Sequence, residues 1–118
     1  IPCTGEDASI AVNKIKEISY KHSLEPNIGF LFISERALDI TGAICFDKCN
    51  LEESKRAAQC HDEILESLCE LGYPPYRLGI QSMQLFDKTE ASSMDVLKKI
   101  KATLDPNNVL SSKRYNTF

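Results

Sequence analysis

The chain has 118 residues, the length of one ordinary domain, and its 42% hydrophobic and 26% charged residues suit a soluble globular fold with one modest core. A net charge of −3 and a pI near 5.4 argue against a nucleic-acid partner, which needs clustered Lys and Arg to meet phosphates. No apolar run approaches the ~20 residues of a bilayer span, so no membrane partner is expected either.

The sequence opens on Ile1 rather than Met and shows no basic–apolar–small leader, which points to a processed or truncated product without a secretory signal. The five cysteines, Cys3, Cys45, Cys49, Cys60 and Cys69, are odd in number and contain no Cys-x-x-Cys pair. That argues against a disulfide scaffold or zinc ribbon. Cys60 and Cys69 fall in a helical pattern, where cysteine acts as a small hydrophobe, and no metal is expected. Thiol usage favours a reducing compartment such as the cytoplasm over the periplasm.

Residues 6–22 carry Ala8, Ala11, Val12, Ile15 and Ile18 at helical spacing, and Pro26-Asn27 closes the segment as a turn. The run Ile28 to Ile33 is continuously apolar and predicts a buried strand. From Asp39 to Phe46 apolar Ile40, Gly42, Ile44 and Phe46 recur with period two, a second strand joined to the first as a hairpin. Asn50-Leu51-Glu52-Glu53 is a capping signature, with Glu53 expected to reach back to Asn50. The helix it opens runs to about Leu71, with Ala57, Cys60, Ile64, Leu68 and Leu71 on one face and Gly72 at its end. Pro74-Pro75 blocks continuation. Tyr76 to Met83 is predicted as a third strand on Leu78 and Ile80. A last helix spans about 93–104, with Met94, Leu97, Ile100 and Leu104, before Asp105-Pro106.

This order predicts an α+β fold: a ferredoxin-like layer of about three mostly antiparallel strands with helices on one face, then a C-terminal helix and an irregular tail. Residues 1–90 form the first unit in this reading and 91–118 the closing one. So thin a sheet leaves a face uncovered, to be taken by the rest of a longer chain or by a second copy.

No Gly-rich phosphate loop, Ser elbow or His-Glu-x-x-His pattern is present. His22 and His61 lie in charge-rich helical segments and are read as solvated, as are the carboxylates of 52–70. The informative stretch is Gly72 to Gln81, where two prolines hold Tyr76 and Arg77 at the start of a strand. A phenol beside a permanent guanidinium suits an anionic oxygen, because both donate to it. The competing reading packs the Tyr76 ring in the core and lays Arg77 over a sheet edge.

The run Tyr73 to Met83 resembles the strand carrying a Tyr-Arg pair in flavoproteins that oxidise 4-substituted phenols, the vanillyl-alcohol oxidase and 4-cresol dehydrogenase type. Ile100 to Leu110, then Arg114-Tyr115, is similar to that family's closing Leu-Asp-Pro-Asn-Asn-Ile-Leu and Ala-Pro-Gly-Arg-Tyr segments. Two departures stand out: Ser111-Ser112-Lys113 lacks the Pro-Gly, and Leu78-Gly79 replaces a Thr-His. The resemblance implies a cap-plus-tail fragment whose FAD is bound mainly by an N-terminal domain of the same parent chain. It implies that Tyr76 and Arg77 bind a small phenolic substrate and favour its ionised form, and that Arg77 and Arg114 face the flavin. A bare fragment is then inactive. The alternatives are a stand-alone ferredoxin-like binding or dimerisation module, and a related flavoenzyme acting on a 2-hydroxy acid.

Overall fold

The computed structural model describes residues 1–83 and 92–111. The elements run α1 (Gly5–Lys21), β1 (Pro26–Phe32), β2 (Leu38–Ile44), α2 (Leu51–Glu70) and α3 (Ser92–Leu104). They divide into two compact units, Ile1–Tyr76 and Arg77–Phe118.

In the first unit, α1 begins at Thr4, whose hydroxyl accepts from the Asp7 amide at 3.1 Å. The helix ends in a Schellman motif. Ser23, at φ 56°, turns the chain, Leu24 N–H reaches the Ser19 carbonyl and Ser23 N–H that of Tyr20, each at 2.9 Å. This turn drives Leu24 into the core beside Ile18, Ala57 and Cys60, with Ile44 and Ile64 packed against them. The α1 stripe thus buries Ala11, Ile15 and Ile18 as its spacing predicts, and α2 meets it through Ala57 and Cys60. Asn50 caps α2 through Glu52 N and Glu53 N. The Glu53 carboxylate, however, accepts from Asp47 N at 2.8 Å rather than returning to Asn50, because the 47–50 turn brings the Asp47 amide forward. Gly72, at φ 82°, closes α2 with a second Schellman motif, Tyr73 N–H bonding the Leu68 carbonyl at 2.8 Å.

Strands β1 and β2 form an antiparallel hairpin with Phe30 opposite Ile40 and Phe32 opposite Leu38. Ile1 to Cys3 lie along the far side of β2, where Ile1 and Leu38 exchange backbone bonds and Cys3 N–H reaches Arg36. The fold is α+β, as the sequence predicts, but among the described residues the sheet has two strands rather than three. The predicted strand over Tyr76 to Met83 is instead a bend at Tyr76-Arg77 followed by a 3₁₀ turn at 80–83, with Ser82 N–H bonded to the Gly79 carbonyl. Two apolar positions beside a glycine give little to bury, and an unpartnered strand has nothing to satisfy its amides.

In the second unit, Asp105 stops α3. Its carboxylate accepts from Val109 N at 2.9 Å and Leu110 N at 2.8 Å while pairing with Lys101. No helix among the described residues is long and apolar enough to cross a membrane.

Candidate functional site

Tyr73 anchors the segment that holds the predicted site. It follows directly on the Gly72 turn and donates from its hydroxyl to Asp7 Oδ1 at 2.7 Å, across 66 residues of sequence. Asp7 sits in the first turn of α1, where the helix dipole favours an anion. Hydrogen bonds from Thr4 and Tyr73 hold its carboxyl below the ordinary range, and the same bond pushes the Tyr73 phenol up. Tyr73 is therefore a neutral structural donor.

Pro74-Pro75 then carry the chain to Tyr76, which is 91% exposed, and to Arg77, which is exposed as well. Neither makes a hydrogen bond or ion pair with a described residue. The Tyr76 ring lies outside the core. Tyr76 ends the first unit and Arg77 opens the second. Further along the second unit, the Ser82 hydroxyl is buried and has no hydrogen-bond partner, an orphaned polar group. Arg114 lies outside the described residues.

The free Arg77 guanidinium has the charge and planar donors to meet the anionic edge of a flavin or a phenolate. A dinucleotide cradle, a Gly-rich loop feeding a helix N-terminus, is not formed by the described residues. The described residues around Tyr76 thus offer an anion one exposed guanidinium and no dinucleotide cradle.

The structure also assembles two polar clusters that local sequence does not reveal. His22, at the end of α1, places Nε2 at 2.8 Å from Glu63 on α2, whose other oxygen accepts from Lys21 at 2.6 Å. The His22 side chain is only 15% exposed, against the solvated position its sequence context suggests. Lys21 first and His22 second hold the Glu63 carboxyl below its ordinary range. One helical turn away Cys60 is fully buried, and burial pushes its thiol up despite a hydrogen bond with Ser19. This makes it a packing residue, not a nucleophile. The second cluster is the Lys101–Asp105 turn. The Lys101 ammonium, then the Val109 and Leu110 amides, hold the Asp105 carboxyl down at about 2. The Leu-Asp-Pro-Asn-Asn motif thereby acquires a physical meaning. Asp105 is the internal anchor, Pro106 ends the helix, and Asn108 takes the left-handed conformation at φ 50° that asparagine tolerates. Among the described residues no three His, Cys, Asp or Glu side chains converge in a metal-holding group.

No protein-family model matches the sequence, and no solved structure matches it. Two curated proteins do. The chain is 34% identical over 116 residues to a 1'-carboxy-chondrochloren decarboxylase of Chondromyces crocatus, covering 98% of this chain and 21% of that protein. It is 30% identical over 104 residues to the 4-cresol dehydrogenase [hydroxylating] flavoprotein subunit of Pseudomonas putida, covering 84% of this chain and 19% of that one. The chain spans about a fifth of the length of these relatives, and its weak homology is to a segment of larger enzymes, one of them a flavoprotein.

Proposed function

We propose that this chain is the cap and C-terminal segment of an FAD-dependent oxidoreductase acting on para-substituted phenols. The observation that carries the reading is the alignment over 84% of the chain with a flavoprotein named for oxidising 4-cresol. The free, exposed Tyr76 and Arg77 support it. In this reading the N-terminal part of the parent chain holds the cofactor, and a bound flavin supplies the acceptor for a hydride leaving the benzylic carbon. Arg77 places a permanent positive charge beside the substrate oxygen, and Tyr76 donates a hydrogen bond to it. Both favour phenolate over phenol, whose pKa is otherwise ~10. The phenolate pushes electron density toward the para carbon and eases hydride departure. Arg77, and Arg114 in the closing tail, also face the flavin's electron-rich edge in this proposal.

A second reading follows from the decarboxylase, which aligns with 98% of the chain. Hydride removal from a para-hydroxybenzyl carbon leaves a quinone methide. Water adds to it to give a benzylic alcohol. Where a carboxylate sits on the adjacent carbon, the carbon–carboxyl bond breaks instead. CO₂ leaves, and the bonding pair becomes a carbon–carbon double bond as the phenolate is restored. The two fates share one substrate-side clamp.

The test uses the full flavoprotein chain containing this segment. Arg77→Ala is expected to lower kcat/KM toward 4-alkylphenols by about a hundredfold or more, the loss that removing one charge-stabilising donor produces. It is also expected to move the pH optimum upward, toward the free phenol's pKa. Turnover and pH profile unchanged from the parent would sink the assignment. Product analysis with a substrate bearing a carboxylate beside the benzylic carbon separates hydroxylation from decarboxylation.

A further inference from the structure

We infer that Asp7 and Tyr73, neither of which belongs to the clamp proposed above, are positioning residues for it, and that their hydrogen bond sets where the Tyr76 hydroxyl stands. The inference rests on the flavoenzyme reading, in which that hydroxyl donates to the substrate oxygen. The bond itself is a feature of the fold, 2.7 Å long and joining residues 66 positions apart. Its acceptor sits on a well-held element. Asp7 stands four residues before Ala11, at the start of the α1 stripe that continues through Ile15 and Ile18 into the core. Thr4 steadies the carboxylate, its hydroxyl donating to Oδ2 while accepting from the Asp7 amide. Oδ1 is left for Tyr73.

Between Tyr73 and Tyr76 the chain has little freedom of its own. A proline fixes its own φ at about −65° and restricts the residue before it, so Pro74 and Pro75 constrain most of the backbone rotations from Tyr73 to Pro75. Upstream that constraint lapses. Gly72 stands at φ 82°, a β-carbon there meets nothing within 4 Å, and glycine passes easily between backbone conformations. The Pro-Pro arm is therefore a stiff lever on a loose pivot, and Tyr73 secures its base. The Tyr73 amide ties that base to the end of α2 through the Leu68 carbonyl at 2.8 Å, and the hydroxyl ties it to α1. Two attachments to two helices fix the direction in which the arm leaves, where one would let it swing. No hydrogen bond to a described residue holds the tip, since Tyr76 is 91% exposed and makes none. A misplacement of about 1 Å at a substrate contact can cost on the order of a hundredfold in rate, so a swing at Gly72 matters to the chemistry.

The experiment uses the full flavoprotein chain carrying this segment, with 4-cresol as the probe. Tyr73→Phe keeps the ring and removes only the hydroxyl. It is expected to lower kcat at neutral pH by about ten- to a hundredfold. The kcat–pH profile, which reports the bound complex, should move upward, because a displaced Tyr76 no longer favours the phenolate. The deficit should shrink at a pH that ionises the phenol unaided. A merely structural loss would lower turnover alike at every pH and leave the profile where it was. Asp7→Asn keeps an oxygen that accepts from Tyr73 and is expected to retain the parental profile. Asp7→Ala should reproduce Tyr73→Phe, with the double variant no worse than either single one. If Tyr73→Phe yields no folded flavoprotein, Asp7→Ala is read in its place. Additive losses in the double variant overturn the inference. Tyr76→Phe in the same chain separates it from the reading it rests on. If Tyr76→Phe moves the profile and Tyr73→Phe does not, the positioning role falls alone. If Tyr76→Phe leaves the profile unmoved, the role given to its hydroxyl falls, and this inference with it.

Discussion

The two units of this molecule are held by different physics. Between Ile1 and Tyr76, two helices and a hairpin strand share an apolar core. Ala11, Ile15, Ile18, Leu24, Leu38, Ala57 and Cys60 are all buried there. Between Arg77 and Phe118, the buried side chains among the described residues are polar, Ser82 and Asp105. Val96, Leu97, Ile100, Leu104, Val109 and Leu110 are about half exposed or more. An amphipathic helix gains most of its stability from burying its apolar face, and α3 has buried little of its own. The first unit therefore resembles a small autonomous domain. The second has its shape written into one charged turn.

Paired core substitutions probe this contrast most strongly. Ile18→Ala removes a buried side chain at the centre of the first unit and is expected to cost about 2–4 kcal/mol. The matching Leu97→Ala on α3, at a position 53% exposed, should stay within about 0.5 kcal/mol. Urea unfolding of both variants measures the difference. Equal costs would break the comparison.

The charged turn gives the second unit its own pH dependence. The Asp105 carboxyl sits at about 2 when folded, against ~3.9 in an unfolded chain. A depressed carboxylate contributes stability that is fully present above the unfolded value and lost as pH falls through the folded one. The Val109 and Leu110 amides should thus keep their bonded chemical shifts and slow exchange down to about pH 4, then lose both as pH falls toward 2. Asp105→Ala should show the unlatched amides at every pH. In the first unit, Ile18 and its neighbours carry no charge, and their packing should be insensitive to Asp105. Simultaneous loss of both units between pH 4 and 2 in the wild type, absent in Asp105→Ala, would show that one carboxylate supports the whole molecule.

What the sequence disclosed follows the same division between local and distant. Both long helices were legible because their stripes, their Asn50 cap and the Gly72 stop are local signals. The hairpin was legible from the change of period at Ile28 and Asp39. The supposed third strand failed because alternation at Leu78 and Ile80 is too short to distinguish a strand from a turn, and pairing partners are not encoded beside it. The prolines before Tyr76 correctly marked a break, while the exposure of Tyr76 and Arg77 depends on what packs around them. His22 with Glu63, and Asp7 with Tyr73, meet only after α1 and α2 are packed. No spacing rule connects residues 41 or 66 positions apart. The Lys101–Asp105 pair, four residues apart on one helix end, was within reach of local reasoning.

The smallest expected effect lies at the helix ends, where the first unit uses one motif twice with different residues. Ser23 and Gly72 both hold positive φ, 56° and 82°, at the position where the chain leaves α1 and α2. A side chain in that conformation costs roughly 1–2 kcal/mol, and glycine escapes the cost at the expense of roughly 0.5–1 kcal/mol in unfolded-chain entropy. Ser23 is exposed and its side chain makes no hydrogen bond with a described residue, so Ser23→Gly should stabilise the unit by about 0.5–1 kcal/mol. The reverse change, Gly72→Ser, should destabilise by a similar amount. A β-carbon there meets nothing within 4 Å, which leaves backbone strain as the sole cause. Thermal unfolding of the two single variants and the double variant measures both signs. Additivity in the double variant is expected because the two turns end different helices and share no hydrogen bond. A loss on Ser23→Gly would mean that the serine side chain, not the backbone, sets the path that carries Leu24 into the core.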